Sequence, residues 1–199
     1  MFHAYHTIGS MDTRQKILNS AQRLIQTRSF HGFSFQDIAE EVGIRKASLY
    51  HYFGSKDDIA IAELDRAADW VRAEMKKVEG EEPTEQLEAY FDMFRIIHSK
   101  GERMCPGGSF AAVFDAVSSP VQRALHRFSQ MHLQWLEKVV RYGVERGQFR
   151  IGDQRPRDVA MQILAGVQGA LLMGRLTGDP QVIDTVALEL RSYLRSART

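Results

Sequence analysis

Disulfide architecture is excluded at once, because the 199 residues hold a single cysteine, Cys105. A lone thiol suits a reducing, cytoplasmic setting. Proline is scarce, with five in the chain, and the fifteen glycines fall mainly between segments of regular apolar spacing. That distribution disfavours many short strands and favours long helices. No sign of charge dominates: the formal net charge is +1, so any nucleic-acid surface has to be local rather than a property of the whole molecule. The uncharged stretch 161–174 falls short of the roughly 20 residues that span a bilayer, and no membrane segment is expected. The opening MFHAYHTIGS lacks an apolar run of signal-peptide length. Residues 1–10 read as a tag or disordered arm, with Met11 as the natural start. Repeats and low-complexity tracts are also missing.

What is present is a globular composition, 44% hydrophobic and 26% charged, arranged with helical periodicity. Ile17, Leu18, Ala21, Leu24 and Ile25 make one face of a helix over 12–28, ended by His31-Gly32. Ser34 starts a second helix with Asp37 as its capping-box partner, and Phe33 and Ile38 are spaced for a hydrophobic staple. Gly43 ends it. A third helix is expected over 46–53, with Leu49 and Phe53 facing inward. Ser55 and Asp58 then cap a long helix to about 79. Further helices are expected over 84–99, 110–117, 119–146, 156–178 and 180–195, with KGERMCPGGS (100–109) as a glycine-rich loop. The fold class is all-α, with about nine helices.

The most informative stretch is GIRKASLYHYFGSK, residues 43–56. It holds three cations, no acid and the run Tyr50, His51, Tyr52. A helix ending at Gly43, a short turn and a second short helix make a helix-turn-helix, whose second helix enters the major groove. Lys46, Ala47, Tyr50 and His51 fall on the side opposite Leu49 and Phe53. Arg45 stands at the N-cap, where Ser, Thr, Asp or Asn would be the stabilising choice and a cation opposes the helix dipole. A phosphate would supply the missing anion.

The segment from Asp12 to Leu64, with the pattern G-[IV]-x-x-x-x-[LF]-Y-x-[HY]-F-x-[SN]-K over Gly43 to Lys56, resembles the DNA-binding domain of the tetracycline repressor (TetR) family. Arg45 departs from the Ser or Thr more usual there. The resemblance implies a dimeric transcription regulator, usually a repressor. Residues 11–55 would bind a palindromic double-stranded DNA operator, and 56–199 would bind a small molecule and form the homodimer. It places Lys46, Ala47, Ser48, Tyr50 and His51 at base edges, and Arg45, Tyr52 and Lys56 at phosphates. Phe35 and Gln36 are secondary candidates.

In the second half, Gly166, Ala170 and Gly174 recur every four residues, which lets another helix approach closely. With the resemblance, this points to a four-helix dimer interface through Gly166, Val167, Ala170, Leu171, Gly174, Leu188 and Leu190. Phe91, Phe94, Phe110, Phe114, Met131 and Trp135 supply either core or the walls of an apolar ligand pocket. His98, His132 and Gln168 would be its polar handles. Cys105, next to Arg103, is an alternative sensor, by which oxidants or electrophiles would control the regulator. The histidines lack metal-ligand spacing, and no nucleophile–base pair or phosphate loop is apparent. No cofactor, metal or enzymatic activity is expected.

Overall fold

The computed structural model describes residues 12–99 and 103–195; the proposed arm over 1–10 lies outside them. Among the described residues there are nine α-helices and no strand. They are α1 (Thr13–Arg28), α2 (Phe35–Val42), α3 (Lys46–Leu49), α4 (Lys56–Lys77), α5 (Pro83–His98), α6 (Pro106–Ala111), α7 (Ser119–Glu145), α8 (Pro156–Thr177) and α9 (Val182–Arg195). The all-helical expectation is met.

Helices α1 to α3 close on a small core. Ile17, Leu24, Ile25, Ile38 and Leu49 are almost wholly excluded from solvent. The capping box at α2 forms as expected, with the Ser34 amide donating to Asp37 Oδ2 at 2.7 Å. Gly43 closes α2 at φ 76°, a left-handed conformation in which a Cβ would be strained. Three local expectations need correction. Helix α1 ends at Arg28, and its C-cap is Ser29 at φ 61°, not His31-Gly32. Gly32 is needed for a different reason: a Cβ there would lie 2.0 Å from the Arg28 carbonyl oxygen. Helix α3 stops at Leu49, because the next residues tighten into i→i+3 bonds, from the amide of His51 to the Ser48 carbonyl and from Tyr52 to Leu49. At α4, Ser55 Oγ accepts from the Asp58 amide at 3.1 Å, without the reciprocal bond seen at α2.

The last four residues of the stretch expected as a glycine-rich loop, 106–109, are helical, while the described residues 103–105 are not. Pro106 opens α6 at its first position, where a fixed φ and a missing N–H are tolerated. The glycines serve packing. A Cβ on Gly107 would approach Phe128 Cε1 to 2.7 Å, and one on Gly108 would approach Gln168 Oε1 to 2.5 Å.

The larger body is built on α7 and α8, with α9 on the outer side of α8 and α4 and α5 against α7. One continuous hydrophobic core runs through both parts of the chain. Helix α8, with 22 residues, is the one described helix long and apolar enough by composition to cross a membrane. Here its Val159, Ile163, Val167 and Leu171 are buried against neighbouring helices.

Candidate nucleic-acid interface

The helix-turn-helix presents what its sequence promised. Arg45, Lys46, Ala47, Tyr50, His51 and Tyr52 are exposed, Ser48 is half-buried, and Leu49 and Phe53 point inward. Tyr50 is 53% exposed even though its ring leans on Phe35 at 5.0 Å. Phe35 itself is buried and therefore supports Tyr50 from beneath, whereas Gln36 is exposed and donates to Glu40 at 2.8 Å. Arg45 is the N-cap of α3 and makes no side-chain cap bond. Neither Arg45 nor Lys46 enters an ion pair among the described residues, so both charges are available to an outside anion.

Lys56 is placed differently from the rest of the predicted set. Its ammonium lies 4.1 Å from the Phe33 ring centroid and 4.6 Å from that of Phe30, and it donates to the Phe33 carbonyl. Burial lowers its pKa, partly opposed by Asp37 and Asp57. Lys56 thus pins the start of α4 to the α1–α2 loop rather than standing on the exposed face.

Several residues that hold this face in place carry no sequence signal. Ser20 donates to Glu41 at 2.7 Å, and Arg23 joins the same carboxylate at 2.8 Å, which clamps α1 to α2. Helix α4 is tied back to α1 by Arg66, which donates to the Leu18 carbonyl at 2.9 Å and Asn19 Oδ1 at 2.7 Å. Arg66 also donates to Glu63 at 2.6 Å. Glu63 is fully buried, and its Oε1 has no partner. Burial raises its pKa from 4.5 to about 7, outweighing Arg66. Farther along the chain, the Met104 amide donates to the Gln26 carbonyl at 3.1 Å and Arg175 donates to the Thr27 carbonyl at 2.6 Å. Four separate parts of the chain, α2, α4, the segment before α6 and α8, thus grip α1.

The predicted ligand residues do not share one site: Phe114 and Gln168 are half-buried and away from the open groove. Phe91, Phe94, His98, Cys105, Phe110 and His132 are buried in the core. Tyr90, which sequence reasoning missed, organises part of this core: its hydroxyl lies 3.0 Å from His132 Nδ1 and its ring stacks on Trp135 at 5.6 Å. Burial pushes His132 down to about 4, so the ring is neutral near pH 7. His98 Nδ1 lies 3.3 Å from the Arg103 carbonyl. Phe110 faces Phe30 of the N-terminal part at 5.5 Å, and Phe114 packs on His126 instead. Burial also pushes the Cys105 thiol up, with Gln168 and the amides of Gly107 and Gly108 pulling partly back. Only Met131 and Trp135 of the predicted set line an open groove of about 830 Å³ between α4 and α7.

The predicted dimer residues are mostly internal. Val167, Ala170 and Leu171 are buried. Gly166 lies under Leu190 and Val186, and a Cβ on Gly174 would meet His98 Nε2 at 2.3 Å. The small-residue spacing therefore admits α9 and α5 of the same chain. On these two helices the large exposed apolar side chains are Met161, Leu172, Met173 and Leu176 of α8, with Leu188 of α9.

An exposed cationic and aromatic recognition face, carried on a helix-turn-helix and braced by an all-helical body, defines a DNA-binding transcriptional regulator. Comparison with known proteins gives the same class. Residues 17–62 match the family described as bacterial regulatory proteins, tetR family, and residues 83–190 match the tetracyclin repressor-like C-terminal domain. The chain belongs to the TetR family. It is 26% identical over 167 residues to the HTH-type transcriptional regulator LmrA of Bacillus subtilis, covering 81% of this chain and 86% of that protein. The crystal structure of a TetR transcriptional regulator from Legionella pneumophila superposes with a TM-score of 0.84 at 26% identity, covering 95% and 100% of the two chains. The reduced form of NemR from Escherichia coli shares the fold at 18% identity, with a TM-score of 0.79 over 94% and 100% of the two chains.

Proposed function

We propose that the chain is a cytoplasmic repressor, not an enzyme, that binds a palindromic operator as a homodimer and is released by a small-molecule ligand. The observation that carries this reading is the pair of unpaired cations, Arg45 and Lys46, set beside the exposed Tyr50, His51 and Tyr52. Lys46, Ala47, Tyr50 and His51 read base edges, with Ser48 at the margin. Arg45 and Tyr52 take phosphates. Lys56 and Phe35 act through the residues they support.

The homodimer forms through the outer face of α8 and α9. Met161, Leu172, Met173, Leu176 and Leu188 all stand there, and Gly169 meets nothing within 4 Å of where a Cβ would lie. An apolar stripe of that length is what a two-fold helical interface buries. A two-fold axis then places two α3 helices in major grooves about 34 Å apart.

Selection of random duplex DNA on the purified chain at moderate salt tests the reading. Recovery of a palindrome with half-sites about one helical turn apart is expected. Binding without enrichment, following ionic strength alone, would overturn it.

A further inference from the structure

We propose that the open groove between α4 and α7 is the effector site, and that it takes an amphiphilic organic anion: a flat apolar body carrying one acidic head. This deepens the repressor reading and rests on it for the word effector. The groove, about 830 Å³, falls within the range of pockets that hold drug-sized ligands.

Its lining combines two chemistries. The apolar part is Met75 of α4 with Met131, Trp135, Val139 and Tyr142 of α7. Trp135 is fixed by stacking on the buried Tyr90, and the two methionines adapt to varied shapes. The polar part carries four cations, Arg72, Lys76, Arg127 and Lys138, against one acid, Glu79. Two of those cations are already engaged: Arg72 with Asp69 at 2.8 Å, and Arg127 more loosely with Asp65 at 4.0 Å. Lys76 and Lys138 have no carboxylate partner among the described residues. Gln86, Gln130 and Gln134 complete the lining with neutral amides. Such a wall favours a negative head and disfavours a cationic one.

The position suits a switch. Helix α4 carries Arg72, Met75 and Lys76 in its last two turns, and Glu63 and Arg66 near its middle, where Arg66 holds the Leu18 carbonyl and Asn19 of α1. A ligand wedged between α4 and α7 acts on the same rigid helix that sets the angle of the reading head.

Two probes with one aromatic body separate charge from shape: 8-anilino-1-naphthalenesulfonate and the neutral N-phenyl-1-naphthylamine. Both are titrated by fluorescence against the full chain and against a Lys76→Gln/Lys138→Gln double variant. Both lysines are exposed, so the variant should keep its thermal unfolding temperature. The sulfonate is expected to bind more tightly than the amine. The double variant should bind it about ten-fold more weakly, the scale of two exposed ion pairs, with amine binding unchanged. Equal affinities for the two probes, or a sulfonate affinity indifferent to the double variant, would overturn the anion site. Sulfonate bound in the groove with no change in operator affinity would overturn its assignment as the effector site. Failure to recover any operator counts against the repressor reading instead, and the two-probe comparison still decides the groove.

Discussion

The helix-turn-helix head and the C-terminal helical body of this protein solve opposite problems. In the head, function sits on the outside of two short helices, and two buried side chains, Leu49 and Phe53, suffice to orient the exposed row around them. In the body, the residues with chemical character (Tyr90, His98, Cys105, His132) are inside, and the accessible groove is lined largely by residues without individual distinction. The difference teaches where a linear sequence carries information. A recognition helix is local, so its pattern is compressed into fourteen residues. A site assembled from α4 and α7 draws on positions some sixty residues apart, and no short motif records it.

The sharpest way to break the comparison is to collapse the head from within. Leu49→Ala removes the single fully buried side chain of α3. Such truncations cost about 2–5 kcal/mol. Operator binding should be lost although every exposed residue is unchanged, with reduced protection of the α3 amides in hydrogen exchange. Retained operator binding would mean that the DNA contacts, not the core, hold the head together.

Next in size is the joint between the two regions. Glu63 has a folded-state pKa of about 7 against an ordinary 4.5. Below 4.5 the group is protonated in both states. Between 4.5 and 7 the unfolded chain ionises while the folded one keeps its proton, so stability falls as pH rises through this window and levels off above it. The whole difference amounts to on the order of 3 kcal/mol. In Glu63→Gln that slope should vanish from urea unfolding measured between pH 4.5 and 8. An unchanged slope would place the titration elsewhere.

How legible the molecule was follows from the same contrast. The capping box at Ser34, the left-handed Gly43 and the inward Leu49 and Phe53 were all readable, since each depends on neighbours within a few residues. The packing of the Lys56 ammonium on Phe30 and Phe33 was not readable, because those rings lie more than twenty positions upstream. The glycines of α8 are contact points, and Gly166 and Gly174 meet α9 and His98 of the same chain. Spacing says that a helix can come close, not whether that helix belongs to the same chain. Pro106-Gly107-Gly108 looked like a loop because its compensation, packing on Phe128 and Gln168, is tertiary. Arg66 and Arg175, which grip α1, resemble any surface arginine until their carbonyl acceptors are seen.

Smaller effects sharpen the comparison by separating reading from folding. Lys46→Ala removes an exposed cation with no internal partner, so thermal unfolding should not move. Operator affinity should fall about ten-fold per half-site, with a shallower dependence on salt if the lysine meets a phosphate. Tyr90→Phe does the reverse. It strips His132 Nδ1 of its partner and should lower stability by on the order of 1 kcal/mol, leaving operator affinity unaltered at temperatures where the variant is folded.

The smallest expected effect is at Cys105. The thiol is 2% exposed, and burial raises its pKa. The thiolate is the nucleophile, so native Cys105 should react with hydrogen peroxide or N-ethylmaleimide only as fast as the surrounding core opens. Cys105→Ser should bind the operator as the parent does, and peroxide should leave both complexes intact over minutes. The informative result would be release of the parent but not of the serine variant. The amides of Gly107 and Gly108 and the side chain of Gln168 pull the thiol pKa downward against burial. A modest opening of α6 would admit water to that thiol while keeping those stabilising contacts. In that case the interior of the body, and not its groove, would hold the sensing chemistry, and the division between an exposed reader and an inert core would fail.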